Sequence, residues 1–160
     1  MNYKVIFDIA NSASPDYPVQ AIPLVIVGLF LVVFRKRLPG WWGNHPRASS
    51  IFSFFFFGFS LLITTLMFFI THRNYSELLK AESSGKLSIS EGKVKNFVPM
   101  PEAGHAMESF CVDKSCFEYS DYVITGGFNN SASHCGPIKD GLQVRVSYLG
   151  NKIVKLEVEK

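Results

Sequence analysis

The chain has 160 residues, of which 48% are apolar and 14% aromatic, and its net charge is +3. That length holds at most one small globular domain beside any membrane segment. The excess charge sits in one short stretch, Arg35, Lys36, Arg37 and Arg47 among residues 35–50 with no acid, which excludes the basic face of a nucleic-acid-binding domain.

Residues 1–16 precede the first apolar run and are read as an extracytoplasmic or interfacial segment, because YKVIFDIA is apolar with one Lys and one Asp. Residues 17–34, YPVQAIPLVIVGLFLVVF, carry no charge and reach the minimum for crossing ~30 Å of hydrocarbon at ~1.5 Å per residue. Pro23 falls in the first turns, where a missing N–H costs least. A cleaved signal peptide fits poorly, since the preceding segment is not basic and no small-x-small site comes before Arg35-Lys36-Arg37.

Residues 35–50 form a basic loop that the positive-inside rule keeps cytoplasmic, with Trp41 and Trp42 suited to the headgroup layer. Residues 51–71, IFSFFFFGFSLLITTLMFFIT, are a second predicted span. Gly28, Gly58 and Ser60 would let the two helices approach closely. Neither span contains an ionisable residue, which argues against an ion or proton pathway. Both termini and the C-terminal domain then lie outside the cytoplasm. Residues 72–85 read as a helical stalk with Tyr75, Leu78 and Leu79 on one side.

From residue 86 to residue 160 the pattern changes to period two. Strands are predicted near 87–98, 108–112, 115–122, 143–149 and 152–158. The fold class is thus an α+β membrane protein: two transmembrane helices, then a small, partly open OB-like barrel of about five strands. A sandwich or an SH3-like barrel is the alternative. For the last hairpin, a two-residue turn at Gly150-Asn151 sets Val146 against Lys155. A three-residue loop with a bulge pairs Tyr148 with Val154, Val146 with Leu156 and Val144 with Val158, and the buried face favours it.

A turn at Asp113-Lys114 places Cys111 opposite Cys116, with Phe110 facing Phe117 on the other face. The cysteines become a non-hydrogen-bonded pair with Cα atoms ~4.5 Å apart, within disulfide range. Cys135 is left over. Zinc held by Cys111, Cys116, His134 or Cys135, and His105 has no matching ligand spacing, so neither metal nor cofactor is expected.

The stretch from Phe117 to Gly141 is the least generic. Tyr119, Asp121, Asn129, Asn130 and His134 lie close together there, and with His105 in the preceding loop they are the candidate binding residues. Ser133, His134 and Asp121 are the residue types of a hydrolase triad, but adjacent side chains in an extended loop diverge. No catalytic residue is assigned.

The segments GKVKNFVPMPEAGHAMESF, FEYSDYVITGGFNNSASH and GPIKDGLQVRVSYLGN, with LPGWW and PRAS-IFSF before them, resemble a family of bacterial inner-membrane proteins of uncharacterised function. That resemblance implies an envelope location and carries over no catalytic residue. The expected function is a membrane-anchored β module that is binding or structural. The alternatives are a metal, redox or hydrolytic site, or a small subunit of a larger envelope or transport complex. Expected partners are the lipid bilayer and an envelope protein or a second copy of the chain, with no nucleic acid.

Overall fold

The structure, a computed structural model, describes residues 2–11, 19–103, 106–123 and 125–160. The candidate ligand His105, the start of the first predicted span and the side chain of Trp41 lie outside the described residues. The chain forms two compact units, one of Tyr17–Ile70 and one of Met1–Asp16 with Thr71–Lys160.

In the first unit, α1 spans Ile22–Phe34 with proline in its opening turn, where the ring pre-sets φ. A short α2, Trp41–Asn44, follows, and then α3, Pro46–Ser83, whose residues from Thr71 onward belong to the second unit. The expected second span and stalk are therefore one 38-residue helix, which also takes up the end of the predicted loop. α3 is long and apolar enough to cross a membrane. Only 11% of its most apolar stretch is buried. Two spanning helices were expected; among the described residues one has the length and apolar character to span. At 13 residues, α1 measures ~20 Å, because a 3-10 turn over Val19–Ala21 precedes it and the Arg35 turn ends it. Gly28 lets α1 reach α3: a Cβ there would lie 2.9 Å from Phe57 Cα. Ser60 is buried as well, whereas Gly58 faces open space.

The second unit is a six-stranded antiparallel sheet. Its strands are β1 (Tyr3–Asp8), β2 (Ser88–Val98), β3 (Glu108–Val112), β4 (Ser115–Tyr119), β5 (Gln143–Leu149) and β6 (Lys152–Glu159), in the order β1-β6-β5-β2-β3-β4. Five of these match predicted strands. The sixth corrects the interfacial reading of YKVIFDIA: Tyr3 pairs with Glu159 and Val5 with Glu157. The sheet is open, so the expected barrel does not close. The edge of β6 that closure would need is taken by β1 and by the Phe128 N–H, which donates to Ile153 O at 2.9 Å.

Two apolar clusters cover the two faces. Phe110, Phe117, Val144, Val146, Ile153 and Leu156 lie in the larger one. Ile9, Leu78 and Val154 form the second, with Tyr75 and Leu79 packed against it, so the end of α3 docks on the sheet.

The last hairpin combines both candidate registers. Leu149 pairs with Lys152 across a two-residue turn, and Tyr148 pairs with Ile153, not with the expected Val154. A bulge then restores Val146 opposite Leu156 and Val144 opposite Val158, as expected. The bulge sits at Val154 because this residue belongs to the α3 cluster while Ile153 belongs to the larger core.

Candidate functional site

The Asp113-Lys114 hairpin has the predicted register: Phe110 opposite Phe117, Cys111 opposite Cys116 and Val112 opposite Ser115. Cys111 and Cys116 form a disulfide with Cα atoms 4.0 Å apart. Asp113 supplies the positive φ that the turn needs. Cys135 is an exposed free thiol.

The same register puts Glu108 on the inward face with Phe110 and Val112, where it is fully buried. Its carboxyl group accepts hydrogen bonds from the Tyr119 phenol, from Met100 N at 3.2 Å and from Ala132 N at 2.8 Å. One buried group thus ties two long loops to the sheet. Burial and the Glu108 hydrogen bond push the Tyr119 phenol far above its usual range, so Tyr119 acts as a hydrogen-bond donor inside the core. Sequence reasoning missed Glu108, although its signal was present: a charge at an inward position of an alternating strand.

Beside this node lies the polar cluster of the long loop. Ala132–His134 form a 3-10 turn, not the extended loop expected, and the turn brings Ser133 and His134 together instead of apart. Ser131 Oγ donates to Asp121 Oδ2 at 2.7 Å and lies 2.8 Å from Ser133 Oγ. His134 Nδ1 pairs with the same carboxylate oxygen. Burial alone would raise the Asp121 pKa, but the hydrogen bonds from Ser131 and His134 outweigh it and hold the group below its usual value.

These three residue types do not make a hydrolase triad. A triad needs Asp on one imidazole nitrogen and Ser on the other. Here Ser133 Oγ and Asp121 both approach Nδ1, and the Ser133 hydroxyl lies 3.3 Å from it. No proton path from Ser133 through the ring follows. Of the other candidates, Asn130 is exposed and Asn129 is half-buried. Among the described residues, no three His, Cys, Asp or Glu side chains converge to hold a metal ion.

A cleft of about 230 Å³ opens where β4 and β6 fail to pair. Met107, Val123, Phe128 and Ile153 give it apolar walls, and Glu118 and Lys152 lie at its edge. Gly127 belongs there because a Cβ would sit 2.7 Å from Ile153 O.

No protein-family model matches the chain, no curated protein matches it, and no solved structure matches it.

Proposed function

We propose that this chain is a two-span protein of a bacterial inner membrane that holds a β domain on the outer side as a binding or structural module. The observation that carries this reading is the pairing of β1 with β6. β1 precedes the apolar helices and β6 follows them, yet both belong to one sheet. They must lie on one side of a bilayer, so the chain between them crosses an even number of times. If α3 crosses once, the segment before it, containing α1, supplies the return. The exposed Leu24, Ile26 and Phe30 of α1 fit that role, and the acid-free loop from Arg35 to Arg47 favours the cytoplasmic side. The OB-like reading of the domain is supported by β2 lying between β5 and β3, with the β4 to β6 seam left open.

Binding is favoured over catalysis by the arrangement of Asp121, Ser133 and His134, in which the acid and the hydroxyl approach the same ring nitrogen. The cleft at the seam is the surface such a module would offer to an envelope component.

The test is labelling with a membrane-impermeant maleimide in intact cells. Cys135 should react without lysis, whereas Asn44→Cys in a Cys135→Ser background should react only after lysis. Labelling of both positions in intact cells, or of neither, would reject the topology.

A further inference from the structure

Residues 17–70 contain four cationic side chains and no acid. Nothing in that unit can neutralise Arg35, Lys36, Arg37 or Arg47. Two of the four converge on a pocket of about 260 Å³, lined by Arg35, Lys36, Trp42, Pro46, Ser49 and Ser50. The Arg35 guanidinium lies 5.0 Å from the Phe54 ring centre and donates through one NH₂ group to Val32 O. Its Nε–H is buried and has no acceptor among the described residues. A buried donor without a partner is costly, and a planar cation matches a phosphate group. The Ser49 and Ser50 hydroxyls donate to Trp42 and Pro46 carbonyls, which fixes the loop to the first turn of α3 and shapes the pocket wall.

We infer that this pocket binds a phosphate group, and that its source is the headgroup of an anionic phospholipid. The assignment rests on the membrane reading proposed above. A basic pocket at the end of two apolar helices, with an indole beside it, lies at headgroup depth. The lipid would then supply the acceptor that Arg35 Nε lacks and the anion that the unit lacks.

The full chain contains two tryptophans, Trp41 and Trp42, both beside the pocket in sequence, so its intrinsic fluorescence reports on this loop. The chain would be reconstituted in phosphatidylcholine vesicles carrying a minor fraction of brominated lipid, either phosphatidylglycerol or phosphatidylcholine. The expected result is quenching by the anionic lipid roughly fivefold beyond its share of the bilayer. That excess should vanish in Arg35→Gln and in Lys36→Gln, the latter at an exposed position that folding tolerates. It should persist in Arg47→Gln, which removes the same charge outside the pocket. Equal quenching by the two brominated lipids would overturn the site and leave the membrane reading standing. No quenching by either would overturn the membrane reading and the site with it. Equal loss in Arg47→Gln would mean diffuse attraction and overturn the pocket. Loss of the excess on adding inorganic phosphate at constant ionic strength would overturn the lipid as its source.

Discussion

Tyr119 and Glu108 stand directly opposite each other across the β3–β4 hairpin, and the Tyr119 phenol donates to the Glu108 carboxyl inside the core. The other Glu108 oxygen accepts from two loop amides. The hairpin therefore fixes the positions of both long loops through a single side chain.

Glu108→Gln should lower stability by about 3 kcal/mol, because an amide cannot accept everything the carboxyl group accepts and buried donors lose their partners. Thermal unfolding of the detergent-solubilised chain measures this. Glu118→Gln, one exposed neighbour of β4, should change stability by less than about 0.5 kcal/mol. Equal effects of the two variants would refute the role given to Glu108.

Acid should loosen the long loop through Asp121. Its folded pKa is depressed below the ordinary 3.8, so the stability it contributes is present above that value and is lost as pH falls through the folded pKa. Asp121→Asn should have a lower melting temperature than the native chain at neutral pH, with the gap narrowing below about pH 4. A gap independent of pH would refute the stabilising role given to the ionised Asp121 carboxylate.

Removing the disulfide should leave the fold intact. Its loop is short, with a sequence separation of 5, so chain entropy assigns it about 2 kcal/mol. The buried pair Phe110 and Phe117 holds the same register without it. The Cys111→Ser/Cys116→Ser double variant should show native circular dichroism and a lower melting temperature. Loss of the β-sheet signal would mean that the bridge, not the aromatic pair, sets the hairpin.

Gly127→Ala should strain the seam between β4 and β6, since the new methyl would meet the Ile153 carbonyl. A cost of about 2 kcal/mol is expected, with faster amide exchange at Phe128, whose N–H bonds that same carbonyl. Gly141→Asn, at an open position with φ +77, should be tolerated, because Asn accepts left-handed backbone better than most residues.

Local features were legible in the chain itself. The alternation of apolar residues around Asp113-Lys114 pointed to one hairpin register and with it the cysteine pairing, because that register puts the apolar residues on one face and the cysteines on the other. The apolar run of α3 and the acid-free basic loop were equally plain, since each depends only on consecutive residues. Tertiary structure decided what depends on distant partners. YKVIFD became an edge strand because β6 offered an unpaired edge far away in the chain. Val154 became a bulge because α3 covers the face opposite the main core. Asp121, Ser131 and His134 met because Glu108 anchors the loop at Ala132. The reason is common to all three: patterning along the chain fixes which side of an element is apolar, but not which other element arrives to cover it.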